Sequence, residues 1–162
     1  MRCDMERKVK DREERYMLAA LSEARKAFAS AEVPVGAVVV EGDKIIARGH
    51  NMPLSSNDPT AHAEIVAIKK ACRKKKNYRL SGCDLYVTLE PCAMCLGAAV
   101  HARFRRLVFG ASDPKGGAVD SVMSFPFESL NHRIAIKGGV LAEECGKILK
   151  SFFENKRQSR VK

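Results

Sequence analysis

His62-Ala63-Glu64 and Pro91-Cys92-Ala93-Met94-Cys95 are the residues whose types and spacing promise chemistry. One imidazole and two thiolates are the N/S donors that zinc binds tetrahedrally. A structural zinc site closes with four protein ligands; these motifs supply three, which leaves the fourth position to water. Zinc lowers the pKa of such a water to about 7 and makes hydroxide available at neutral pH. Glu64, two residues past His62, stands where it can move that water's protons. Two duller readings compete. One is a structural site completed by Cys72, Cys83, His50, His101 or His132; the other is a redox Cys-x-x-Cys pair, which leaves His62 and Glu64 idle.

These residues need helix starts to position them. Asp58-Pro59-Thr60 reads as the cap of a helix beginning near Ala61, with Ile65, Ile68 and Cys72 inward and Lys69, Lys70, Arg73 and Lys74 outward. Pro91 suits the first turn of another helix. Helix amino termini favour negative charge and so help hold Cys92 and Cys95 as thiolates. Elsewhere, residues 12–30 read as a helix with Leu18, Leu21, Ala24 and Phe28 on one stripe. Residues 35–40 and 45–48 form a hairpin around Glu41-Gly42-Asp43-Lys44. Residues 85–89, 107–110 and 134–137 read as further strands, and Lys115-Gly116-Gly117 as a glycine-rich loop. A last helix covers 142–156, with Cys145, Ile148, Leu149, Phe152 and Phe153 on one stripe. Strands alternating with helices imply an α/β domain whose mixed sheet is covered on both faces.

The 162 residues suit one domain, with residues 1–12 as an N-terminal extension and 157–162 as a basic tail. No apolar run is long enough to cross a membrane, and the charged first fifteen residues lack a signal core, so a cytoplasmic location is expected. That expectation argues against disulfides among the six cysteines. A formal net charge of +10 favours a polyanionic partner, although such an excess also serves solubility.

The His-Ala-Glu and Pro-Cys-x-x-Cys pairing resembles the zinc-dependent nucleobase deaminases. Glu32-Val33-Pro34-Val35-Gly36-Ala37-Val38, Asn77-Tyr78-Arg79-Leu80, Val108-Phe109-Gly110-Ala111 and Asn131-His132-Arg133 bring the likeness to the bacterial tRNA adenosine deaminases, from about Glu14 to Gln158. The resemblance implies a three-layer α/β/α cytidine-deaminase-like fold with a mixed five-stranded sheet. It implies zinc on His62, Cys92 and Cys95, with Glu64 as proton shuttle. Its reaction is hydrolytic deamination of adenosine to inosine at the wobble position of a tRNA anticodon, by a homodimer that takes the anticodon stem-loop as substrate. By position, Asn51 would hydrogen-bond the purine, the Ala63 amide would help hold the oxygen ligand, Asp113 would approach a neighbouring 2′-hydroxyl and Lys115 a phosphate. Phe152 or Phe153 would line the base-binding region.

Each of these contacts has a local alternative: a turn at Asn51, a turn start at Asp113-Pro114, and core packing for the phenylalanines. The basic tail would track the anticodon stem or be a solvated end. The chain departs from the bacterial pattern at Ser112, at Lys74-Lys75-Lys76 and over residues 124–129. A deaminase for free guanine or cytosine, or an RNA-binding protein with structural zinc, are the rival readings.

Overall fold

The computed structural model describes residues 2–160, with side chains from 5 to 159; the side chain of Cys3 and the tail residues Val161 and Lys162 lie outside the described residues. The chain order is α1 (Arg2–Ala29), β1 (Gly36–Glu41), β2 (Lys44–His50), α2 (Pro53–Ser56), α3 (Ala63–Lys75), β3 (Cys83–Leu89), α4 (Ala93–His101), β4 (Arg106–Ala111), β5 (Ala135–Lys137) and α5 (Ala142–Arg160). The strands form one sheet in the order β2-β1-β3-β4-β5. β1 pairs antiparallel with β2 and β3, whereas β3, β4 and β5 run parallel. The parallel step from β3 to β4 needs a crossover, and α4 makes it.

Strand alternation divides the core. Val39, Leu85, Val87, Leu107 and Phe109 face Ala67, Ile68 and Ala71 of α3 and Leu96, Ala99 and Val100 of α4. Val38, Val40, Tyr86 and Val108 face Tyr16, Met17, Ala20 and Leu21 of α1 and Cys145 of α5. Both sheet faces are therefore covered, and the expected three-layer α/β/α architecture with its mixed five-stranded sheet is borne out.

Several boundaries differ from the sequence reading. α1 starts at Arg2 rather than near 12, so the extension is continuous with the helix. Its core-facing stripe runs through Met17, Ala20, Leu21, Ala24 and Ala27, and Leu18 points to solvent at 52% exposure. Leu21 and Ala24 of the expected stripe are buried and Phe28 is half-buried against Phe152; Met17 and Ala20 take the place of Leu18. α3 starts at Ala63 because the preceding residues are used in a turn: Asp58 Oδ1 accepts from Thr60 N at 2.8 Å and from the Thr60 hydroxyl at 2.6 Å. α4 starts at Ala93, which leaves Pro91 just outside it. α2 is an additional short helix. α5 continues to Arg160, so the described part of the basic tail is helical. Among the described residues, no helix is long and apolar enough to cross a membrane.

Candidate metal and deaminase site

Two helix amino termini on the same face of the sheet build the site. His62 is the N-cap of α3 (φ −69°, ψ 154°) and Cys92 the N-cap of α4 (φ −77°, ψ 170°). Neither side chain caps its own helix, so both are free to ligate. Cys95 follows in the first turn of α4. His62 Nδ1 lies 3.7 Å from Cys92 Sγ and 3.6 Å from Cys95 Sγ, and the three ligand atoms lie within 4.8 Å of one another. Tetrahedral zinc with ordinary Zn–S and Zn–N bonds gives an N···S edge of about 3.6 Å, so the trio fits zinc.

The titration of the donors agrees. Its hydrogen bond with Cys95 pulls the Cys92 thiol down to about 4 against the effect of burial, with His62 assisting. The same bond and burial push Cys95 up. The hydrogen bond to Cys92 raises His62. Cys92 is thus the thiol favoured as thiolate, and a divalent cation among the three atoms would favour that form at both sulfurs. The other candidate ligands lie elsewhere. His50 Nδ1 is 3.1 Å from Glu23, His132 Nε2 is 2.7 Å from the Phe104 carbonyl, Cys72 is 3.6 Å from the Tyr78 carbonyl, and Cys83 is buried at the start of β3. Among the described residues, the only group of three such side chains that could hold a metal is His62, Cys92 and Cys95.

Glu64 occupies the first turn of α3, is only 4% exposed, and lies against Cys95. Burial pushes its carboxyl up to about 6, against the pull of a backbone hydrogen bond and of His62. A carboxyl so poised takes up and releases protons near neutrality. Asn51 reaches the same place from the end of β2: its Oδ1 accepts from Ala63 N at 2.8 Å. The Ala63 N–H is engaged by Asn51, and Asn51 is left with its Nδ2 donors. Gly49 allows this approach, since a Cβ there would overlap the Ala63 carbonyl and come within 2.6 Å of Ala67 N.

The loop after β4 carries Asp113 and Lys115. Asp113 Oδ1 accepts from Lys115 N at 3.0 Å, the expected turn, and Lys115 is exposed. Phe152 is buried at 4% against Phe28, while Phe153 is 45% exposed. Phe153 lines a cavity of about 470 Å³ with Leu89, Ala111, Asp113, Pro114 and Lys115. A second cavity, of about 480 Å³, lies between Phe153, Lys115, Lys150, Lys156 and Arg157. Of the two phenylalanines, then, Phe152 is core and Phe153 faces the loop.

A model of the MafB19-like deaminases matches residues 11–157. The chain belongs to the MafB19-like deaminase family. It is 48% identical over 151 residues to the tRNA-specific adenosine deaminase of Haemophilus influenzae, covering 91% of this chain and 87% of that one. With the tRNA-specific adenosine deaminase of Bacillus subtilis the identity is 46%, covering 91% and 92%. A solved chain from work on A-to-I editing by tRNA:A34 deaminases at the wobble position of transfer RNA has a TM-score of 0.79 and 48% identity, covering 83% of this chain and all but 1% of that one, at 99%. A guanine deaminase from Nitrosomonas europaea has a TM-score of 0.76 at 27% identity, covering 86% and 83%. Shape is shared by both kinds of deaminase; side-chain identity separates them.

The sequence reading of this deaminase missed Glu90. Its carboxylate is buried at 3% exposure just before Pro91 and Cys92. Oε1 accepts from the backbone N–H groups of Val119, Asp120 and Ser121 at 3.0, 2.9 and 3.1 Å. Oε2 accepts from Asp113 N at 3.0 Å and from the Ser121 hydroxyl. Burial would raise its carboxyl, but these donors outweigh it and hold Glu90 at about 2. The available signal was a carboxylate directly after the apolar strand 85–89, where charge needs partners.

Proposed function

We propose that the chain deaminates adenosine to inosine hydrolytically at the wobble position of a tRNA anticodon. The observation that carries this reading is 48% identity over 91% of the chain to a tRNA-specific adenosine deaminase. The His62, Cys92, Cys95 and Glu64 arrangement supports the same chemistry.

Zinc held by His62, Cys92 and Cys95 would make a ligated water acidic enough to supply hydroxide near neutral pH. The rest falls to the protein. Glu64 takes a proton from the attacking water and delivers it to the purine ring nitrogen, then takes the proton of the new C6 hydroxyl and passes it to the amine, which leaves C6 as ammonia while the C6 carbonyl forms. Asn51, held by Ala63 N–H, turns its Nδ2 donors to the purine. Asp113 approaches the 2′-hydroxyl of a neighbouring nucleotide, which separates RNA from DNA. Lys115 meets a phosphate, and Phe153 lines the base-binding region.

The protein acts as a homodimer in the cytoplasm. A reducing compartment suits the free cysteines at the site. Light scattering tests the dimer: a monomer mass for active protein removes it.

The test is a mass-spectrometric inosine assay on zinc-loaded protein. Its substrates are an anticodon stem-loop with adenosine at the wobble position, a guanosine control, free guanine and free cytosine. Inosine from the adenosine stem-loop alone is expected. Ammonia from a free base without inosine would transfer the protein to the free-base deaminases. RNA binding without any product would make it a binding protein with structural zinc.

A further inference from the structure

Residues 112–134 join β4 to β5 with no regular structure beyond one turn of 3₁₀ helix at Phe127–Ser129. A connection this long is mobile unless side chains tie it down. The ties of its first half converge on two adjacent residues, Glu90 and Pro91. Glu90 gathers the N–H groups of Asp113, Val119, Asp120 and Ser121 together with the Ser121 hydroxyl, and the neighbouring Pro91 carbonyl accepts from Ala118 N at 2.9 Å. Cys92, next in the chain, is a candidate metal ligand. The segment that holds the reacting centre thus also holds the loop that presents Asp113 and Lys115. Gly117 completes the fit, because a Cβ there would overlap the Glu90 carboxylate and stand 2.7 Å from the Asp113 carbonyl.

We propose that Glu90 is a positioning residue, which locks the loop bearing Asp113 and Lys115 to the Cys92 segment and so sets where the substrate nucleotide stands relative to the reacting centre. This rests on the reading of that loop as an RNA contact. The chemistry of Glu90 argues for a fixed loop over simple space filling. An apolar side chain would fill the same volume without needing donors, and every donor here comes from this one loop. Position matters at this precision, since a misplacement of about 1 Å can cost on the order of a hundredfold in rate.

Two variants probe the lock from opposite sides. Glu90→Gln keeps one carbonyl oxygen for the Val119–Ser121 amides but turns an amide donor towards the Asp113 N–H. Gly117→Ala leaves Glu90 intact and pushes the loop away. Glu13→Gln, which removes a buried carboxylate paired with Arg106 and Lys137 on the other side of the sheet, is the comparison for loss of stability alone. Zinc-loaded proteins are compared by zinc content, by trypsin cleavage after Lys115, and by steady-state kinetics on two stem-loops. One is all RNA and the other has a 2′-deoxy sugar beside the wobble adenosine. For Glu90→Gln and Gly117→Ala we expect full zinc content, faster cleavage and a KM raised about tenfold or more, with a smaller change in kcat. The preference for the all-RNA stem-loop should shrink towards one. Unchanged cleavage, KM and preference in either folded variant would overturn the lock, as would the same kinetic losses in Glu13→Gln. If the wild-type protein makes no inosine, the proposed function fails, and the cleavage rates still decide whether Glu90 holds the loop.

Discussion

Glu64 and Glu90 are buried to nearly the same degree, at 4% and 3% exposure, yet they titrate in opposite directions. Burial pushes Glu64 up to about 6, and the groups around it recover little of that loss. Glu90 also bears a burial penalty, but four N–H groups and a hydroxyl outweigh it and bring it down to about 2. Both enclosure and donors separate the two: Glu64 is closed in on all sides with little to bond it, and Glu90 carries five donors in a less enclosed setting. One region of the site is left underpaired and ready to exchange protons; the other is fully paired and holds its loop still.

The largest effect should come from Glu64→Ala, which keeps its zinc by metal analysis and loses about 10²–10⁴ in kcat. Activity within a few-fold of wild type would remove Glu64 as proton carrier and erase the contrast. The two adjacent phenylalanines repeat the contrast in apolar form. Phe152→Ala should cost about 3–5 kcal/mol in denaturant unfolding. Phe153→Ala should leave stability nearly unchanged and raise KM for the stem-loop. Equal destabilisation by both would place Phe153 in the core as well.

Next come melting temperatures of the chelated protein at pH 7. The depressed Glu90 pKa gives stability that is present above about 4.5 and lost as pH falls through about 2. At neutral pH that is about 3 kcal/mol, so Glu90→Gln should lower the melting temperature. The raised Glu64 pKa acts in the other sense. Its contribution is present below about 4.5, is lost as pH rises through about 6, and leaves a burdened carboxylate at pH 7. Glu64→Gln should therefore raise the melting temperature, by about 5 °C. Shifts of the same sign would break the comparison. The smallest effect belongs to Asp113→Asn, which should narrow the RNA-over-DNA activity ratio severalfold; an unchanged ratio discards the 2′-hydroxyl contact.

The zinc motifs were legible because ligand chemistry depends on residue type and short spacing, and both lie within single chain segments. The strands were legible from apolar runs such as 35–40 and 85–89. Tertiary contacts wrote the rest. Leu18 looks inward by composition but turns outward because α1 docks through the small residues Ala20, Ala24 and Ala27. Phe152 and Phe153 share one apolar stripe, and only the packing of α5 against Phe28 distinguishes them. Glu90 shows locally only that it follows an apolar strand; its partners, which give it its role, lie 23 to 31 positions along the chain.

His62 and Cys92 begin their helices without capping them by hydrogen bonds. Residues of these two types are poor substitutes for the serine, threonine or aspartate that ordinarily close a first turn. Coordination of a metal by His62 and Cys92 would thus double as the fastening of two helix ends. Chelation should let the first turns of α3 and α4 fray while the sheet beneath persists, seen as faster amide exchange confined to those turns. For this chain, metal scarcity would first become a local loosening of the catalytic floor, well before any global unfolding.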